Sequence, residues 1–305
     1  MAQVSIQSVV VNDKGRVRGN NEDNFLLNGI YLPREMMDEG ADKSLNCQSG
    51  VQIYAICDGM GGADAGEEAS FQAVKLLAGK KMEYRSMMSS DIMNEVLRDI
   101  SDKINRQAVQ KGLRTGTTIA LALVDGPYVH VTNVGDSRVY RMRDGHLEQL
   151  SLDHSRVQRM INMGIITPEQ AKTDPGRHII SQYLGMPPEI RISPYNVEKM
   201  ELQKGDIFLL CSDGLTDMVT DDAIERIINT TSDLKMAADE LLQTALQNGG
   251  RDNTTVMMFQ IMDVESVTDR EKRDNRKKWA LNIGRIVTAA AMVLTTVDFI
   301  YYLAS

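Results

Sequence analysis

The chain of 305 residues has only three cysteines, Cys47, Cys57 and Cys211. They are too few and too scattered for a disulfide framework or a thiolate zinc site, and a reducing compartment is expected. Histidine is equally scarce, at positions 130, 146, 154 and 178, which disfavours zinc further. Positive charge is in deficit: 34 Lys and Arg against 42 Asp and Glu leave a net −8, which argues against a nucleic-acid backbone as the main partner. No internal repeat and no low-complexity tract occur. The opening MAQVSIQSVVVNDKGR lacks a basic stretch followed by an apolar core, so no secretory signal is expected.

What is present is globular, with 42% hydrophobic and 25% charged residues. The length suits two domains, or one α/β domain of about 250 residues with an appendage. Charge marks the boundary. Arg270 to Lys278 carries +4, leaving −12 on residues 1–269, and the chain then turns apolar. The expected layout is a catalytic body over 1–263, a basic linker over 264–280 and an apolar helix over 281–303.

In the body, short runs rich in β-branched residues read as strands: VSIQSVVV, VQIYAIC, TIALALV, YVHVTNV, RVYRM, DIFLLC and TTVMMFQI. Asp125-Gly126-Pro127 and Arg143-Asp144-Gly145-His146 suggest hairpins. Helical spacing predicts helices over Glu67 to Lys80, with Ala69, Ala73, Leu76 and Leu77 on one stripe, and over Asp91 to Val109, with Ile92, Val96, Ile100 and Ile104. A third is expected over Leu234 to Leu246, capped by Ser232. Mostly antiparallel neighbours imply two sheets with helices outside rather than a Rossmann series. Residues 151–185 are poor in strand signal and read as an excursion from the sheets.

The aspartates fall in one kind of place. IYAIC ends in Asp58-Gly59-Met60-Gly61-Gly62, VHVTNV in Gly135-Asp136-Ser137, and IFLLC in Ser212-Asp213-Gly214. Glu22-Asp23 and Asp252 immediately precede other strands. A single Asp-Gly at a strand end is usually a turn. Five acidic positions where strands meet turns would repel one another unless cations neutralise them. Hard divalent cations need such oxygen ligands, so Mg²⁺ or Mn²⁺ is favoured and a two-metal centre is expected. Arg18, four residues before Glu22, could offer a planar fork to phosphate oxygens.

These residues carry a resemblance. Arg18-Gly19-Asn20-Asn21-Glu22-Asp23, Asp58-Gly59-Met60-Gly61-Gly62, Gly116-Thr117-Thr118, Asn133-Val134-Gly135-Asp136-Ser137-Arg138, Leu152-Asp153-His154-Ser155, Ser212-Asp213-Gly214 and Arg251-Asp252-Asn253 occur in one order. The set resembles the metal-dependent type 2C Ser/Thr protein phosphatases in their bacterial form, from about Val4 to Met262. The resemblance implies an α+β fold, a four-layer α-β-β-α sandwich of two antiparallel sheets flanked by helices, with 151–185 as a flap beside the cleft. It also implies hydrolysis of phosphoserine and phosphothreonine on proteins by a hydroxide bridging two Mn²⁺ or Mg²⁺ ions, reversing bacterial Ser/Thr kinase signalling. Asp58 would bridge both metals, Gly59 would supply a carbonyl, and Asp213 and Asp252 would hold the second ion. Asp136 with Asp213 would bind a third. Glu22 and Asp23 would act through water, and Arg18 would grip the phosphate. Expected partners are phosphorylated proteins, notably Ser/Thr kinases and their substrates.

Met60 stands where eukaryotic relatives often have His, so a general acid is absent there; His154 and His178 are candidates, although a flap or surface role is commoner. Cys57 and Cys211 read as buried thiols, no cysteine being followed by five residues and Arg. A phosphoprotein-binding module without catalysis and a small-metabolite phosphatase remain as rivals. In the tail, IVTAAAMVLTTV (Ile286 to Val297) is uncharged but short for a bilayer span, and Asp298 follows. A membrane anchor behind the basic linker, keeping the catalytic body cytoplasmic, is expected, with an amphipathic surface helix as the alternative.

Overall fold

Alternation along single strands decides the architecture. In strand β4 (Gln52–Gly61), Tyr54 and Ile56 enter one core while Ile53, Ala55 and Cys57 enter another. In strand β11 (Ile207–Cys211), Phe208 and Leu210 face the first core, and Leu209 and Cys211 face a third. Side chains two apart share a face, so both strands lie in sheets covered on both sides. That is why they read as unbroken apolar runs rather than as alternating ones.

The computed structural model describes residues 3–48, 50–61 and 65–265. Along the chain run β1 (Gln3–Asp13), β2 (Asp23–Leu27), β3 (Ala41–Cys47), β4, α1 (Gly66–Ala78), α2 (Ser90–Gln110), β5 (Thr115–Thr117), β6 (Ile119–Asp125), β7 (Tyr128–Val134), β8 (Arg138–Arg143) and β9 (His146–Gln149). Then follow α3 (Arg156–Asn162), α4 (Pro168–Thr173), β10 (Tyr195–Glu201), β11, α5 (Asp213–Thr216), α6 (Asp221–Thr230), α7 (Leu234–Gln247) and β12 (Thr254–Glu265). One sheet has the order β3-β1-β12-β11-β8-β9 and the other β10-β7-β6-β4-β2, with β5 continuing on β4. The core between the sheets includes an aromatic stack in which Phe259 lies 4.2 Å from Tyr54 and 4.7 Å from Phe208, centroid to centroid. Helices α1 and α2 cover the second sheet, and α5, α6 and α7 the first. This is the expected four-layer sandwich. The expected apolar tail helix, 281–303, lies outside the described residues.

Both expected hairpins form. Asp125 pairs with Tyr128 across Gly126-Pro127. Arg143 pairs with His146, and Asp144 and Gly145 both adopt positive φ, 51° and 81°, as the right-handed twist of a two-residue hairpin requires. Two expectations need correction, and a third is filled in. Helix α7 is capped by Asp233, not Ser232: the Asp233 carboxylate accepts from Met236 N at 2.9 Å. On α2, Met93 takes the buried place expected for Ile92, which is 37% exposed. The excursion at 151–185 contains two short helices, α3 and α4; the second is closed by a capping box between Thr167 and Gln170.

Candidate metal centre

Strand register brings the acidic positions to one edge. Asp23 opens β2 directly opposite Asp58 near the end of β4. The start of β6 pairs with both β4 and the end of β7, which leads into Asp136. In the other sheet, Cys211 at the end of β11 pairs with Val256 of β12 and Arg138 of β8. Asp213, Asp252 and Asp136 therefore emerge on the same side as Asp58 and Asp23.

Neighbouring hydroxyls and amides position each carboxylate. The Asp58 backbone is held by Thr118, whose N donates to Asp58 O at 2.8 Å and whose Oγ1 accepts from Asp58 N at 3.0 Å. Thr117 Oγ1 donates to the same carbonyl at 2.9 Å. Gly59 packs against the Glu22 and Gly66 carbonyls so closely that a Cβ would collide with both. Asp213 opens α5, and Gly214 beside it lies against the Asn253 carbonyl with no room for a side chain. Asp23 is fully buried. Its Oδ2 accepts from Ser212 Oγ and Thr255 Oγ1, both at 2.7 Å, which ties the two sheets together. Asn253 staples the N-terminal loop: its side chain accepts from Glu22 N at 2.8 Å and donates to Lys14 O and Asn20 O.

The electrostatics are unbalanced. Burial pushes the Asp58 and Asp213 carboxyls well above the usual range, and the neighbouring aspartates push them further. Burial raises Asp23 to about 7 against the stabilising hydroxyls of Ser212 and Thr255, and Asp136 likewise to about 7. Glu22 is raised too, again first by burial. Asp23, Asp136 and Asp213 each have a buried Oδ1 with no hydrogen-bond partner. Carboxylates gathered without cationic partners must either hold protons or bind cations. An all-oxygen donor set of this kind fits hard divalent ions.

Of the expected site residues, Arg18 lies at the cluster, with its Nη2 2.5 Å from Asp252 Oδ2. The two histidines have different surroundings. His154 Nδ1 accepts from Gly135 N at 3.1 Å, and His154 N donates to Gly135 O at 2.9 Å, so this imidazole staples the flap base to the loop beside Asp136. His178 instead reaches the carboxylates: its Nδ1 is 3.4 Å from Asp217 Oδ2, and one ligand atom from each of His178, Asp213 and Asp217 lies within 4.8 Å of the others. Sequence reasoning missed Asp217. It sits four residues after Asp213, one helical turn on, and that spacing was the available signal. Ser212, Thr255 and Asn253 were also given no role; their positions beside the ligand motifs are their only mark.

Comparison with known proteins agrees with this geometry. The sequence profile described as protein phosphatase 2C matches residues 41–249. The chain is similar to the serine/threonine phosphatase stp of Listeria welshimeri, with 33% identity over 254 residues, covering 81% of this chain and 93% of that protein. The crystal structure of the Mycobacterium tuberculosis serine/threonine phosphatase PstP/Ppp superimposes with a TM-score of 0.71 at 30% identity, covering 85% of this chain and all of the other. The catalytic domain of PstP in complex with two manganese ions superimposes with a TM-score of 0.67 at 29% identity, over 85% and 100% of the two chains.

Proposed function

Because the chain belongs to the protein phosphatase 2C family, we propose that the carboxylate edge is the seat of its chemistry, with Asp58 at the centre. The protein is a metal-dependent protein-serine/threonine phosphatase, and its substrates are phosphorylated proteins. When bound, two Mn²⁺ or Mg²⁺ ions supply a water of lowered pKa and neutralise charge on the attacking and leaving oxygens. The observation that supports this seat best is the set of buried, partnerless Oδ1 atoms on Asp23, Asp136 and Asp213.

In this reading Asp58 would be shared by the two ions, with the Gly59 carbonyl, Asp213 and Asp252 as the further ligands that would hold them, and Asp136 with Asp213 would hold a third. Glu22 and Asp23 act at one remove, through water, and Ser212 and Thr255 fix the orientation of Asp23. Arg18, already beside Asp252 and half-exposed, orients the phosphoryl group through its planar fork. His154 Nδ1 is taken up by the Gly135 amide, and His178, beside Asp213 and Asp217, would be the better candidate to hand a proton toward a leaving oxygen.

The body over 1–263, the basic linker over 264–280 and the apolar segment over 281–303 complete the proposal. The compact unit ends at Val264, which supports that boundary. The tail's function is anchorage of the catalytic body to the cytoplasmic face of a membrane, near the Ser/Thr kinases whose products it reverses. Residues 266–305 lie outside the described residues, and among the described residues no helix is long and apolar enough to cross a membrane. The deciding experiment is phosphate release from a phosphothreonine peptide by the full chain, with Mn²⁺ and then with excess EDTA. Metal-dependent release is expected; EDTA-resistant release would overturn the metal mechanism.

A further inference from the structure

The body of the protein is strongly acidic, and most arginines that project from its sheets are matched to carboxylates. Arg18 pairs with Asp252, Arg138 with Asp153, Arg141 with Glu148 and Arg143 with Asp206. Among the described residues several exposed arginines form no ion pair, Arg16, Arg114, Arg191, Arg226 and Arg251 off the flap, and the flap adds three that lie together. Arg156, Arg159 and Arg177 are all exposed, and among the described residues none of the three forms an ion pair or a side-chain hydrogen bond. Asp174 faces Arg156, its Oδ1 and the Arg156 Nη1 lying 3.1 and 3.0 Å from one point beside Gly176, but the two form no ion pair. Asp153 is held by Arg138 through both oxygens, and Asp174 Oδ1 accepts from Gly176 N at 2.7 Å.

These arginines branch from the residues that tie the flap to the carboxylate edge. His154, bonded to Gly135 beside Asp136, is two residues before Arg156. Arg156 N donates to Ile179 O at 2.8 Å, and Ser155 bridges to Ile180. Arg156 therefore lies next to the segment 177–180, and its Nη1 reaches to where a Cβ on Gly176 would be. Arg177 precedes His178, which approaches Asp213 and Asp217. Arg159 is three residues after Arg156 on α3, on the same helix face. A short cationic row thus begins at the rim of the cleft and leads away from it, on a protein of net charge −8.

We propose that Arg156, Arg159 and Arg177 form a recognition surface for anionic side chains flanking the phosphorylated residue of the substrate. This rests on the phosphatase reading and deepens it. With the phosphorylated side chain in the cleft, the flanking peptide crosses the flap, where an acidic residue or a second phosphoryl group meets the unpaired guanidinium groups. Guanidinium suits both carboxylate and phosphate, and an anion there gains three cationic groups that form no ion pair. The preferred substrates are segments that are acidic around the phosphosite or phosphorylated more than once, and those with basic flanks are disfavoured.

The test uses the full chain with Mn²⁺ and three phosphothreonine peptides of one length: neutral flanks, Asp and Glu flanks, and neutral flanks carrying one non-hydrolysable phosphonate. Within each enzyme the readout is the ratio of kcat/KM for an anionic peptide to that for the neutral one. The wild type is expected to favour the anionic peptides by about tenfold at low salt, a few-fold for each exposed contact, and the preference should sit in KM and shrink with added salt. In the R156Q/R159Q/R177Q variant the ratio is expected to fall to about one, and in the charge-reversed R156E/R159E/R177E variant to below one. The acidic and phosphonate arms tell carboxylate from phosphate recognition. Equal turnover of all three peptides by the wild type, or a preference that survives in both variants, overturns the inference while leaving the phosphatase reading intact. Release from none of the peptides overturns both.

Discussion

The two ends of strand β11 carry aspartates with opposite fates. Asp206, just before the strand, is 1% exposed. Its Oδ1 and Oδ2 accept from Arg143 Nε and Nη2 at 2.6 Å each, and Oδ2 also accepts from Gln203 N at 2.8 Å. Asp213, just after the strand, has a buried Oδ1 with no partner and faces Asp136 and Asp252. Both residues interrupt the same apolar run and both border turns. The two therefore differ in the supply of donors around them: one end is closed by an arginine, and the other has none.

The largest effect that would sharpen this contrast is expected from Asp213→Asn. Turnover with Mn²⁺ should fall by about 10²-fold or more, and the Mn²⁺-induced rise in Tm should shrink. Stability in EDTA should stay level or increase, because a buried carboxylate among carboxylates has gone. Wild-type turnover, or an EDTA-state stability loss as large as that of an ordinary core mutant, would break the comparison.

Asp206→Asn should do the reverse. Removing the acceptor leaves Arg143 unmatched, costing about 2 kcal/mol in urea unfolding, at the low end because the Arg143 side chain is 21% exposed. Turnover by the folded fraction should be unchanged. A variant that unfolds normally but loses Mn²⁺ response would show the two ends to be coupled.

The pH dependence follows from the same difference. In EDTA, folded Asp23 and Asp136 titrate near about 7, above the ordinary Asp value of 3.8. The folded state thus holds protons that the unfolded chain has released. Their contribution to stability is full below about 4 and is lost as pH rises through about 7. With Mn²⁺ the slope should invert, since ions bind the deprotonated carboxylates. Urea midpoints at pH 5 and pH 8, with and without the metal, check both signs. The smallest expected effect comes from Asp233, whose carboxylate meets a single backbone amide. Asp233→Ala should cost about 1 kcal/mol and leave Mn²⁺ binding untouched, as thermal melts with and without the ion would show.

Much of this was readable in advance because apolar runs and turn chemistry are local. The doubly buried strands, both hairpins and the placement of Asp136 and Asp213 beyond strand ends follow from residue order alone, whereas β4 runs on past Asp58 to Gly61. Strands β3 and β10 were not legible: ADKSLNC and YNVEKME are edge strands with mostly exposed side chains, so no burial pattern marks them. The division of labour between His154 and His178 was equally hidden. Both are flap histidines in sequence, and only the fold turns one to the Gly135 backbone and the other to Asp217.

The ordered motifs, with glycine beside aspartate at strand ends, by themselves determined the family and the cation chemistry, because each is a property of a few consecutive residues. The tertiary structure decided which carboxylates are left without donors, which hydroxyls brace Asp23 across the two sheets, and which flap arginines stand unpaired beside the cleft. Those depend on contacts between residues as far apart as Asp23 and Thr255. Such contacts exist only once two sheets, each specified locally, have packed face to face and brought their ends into register.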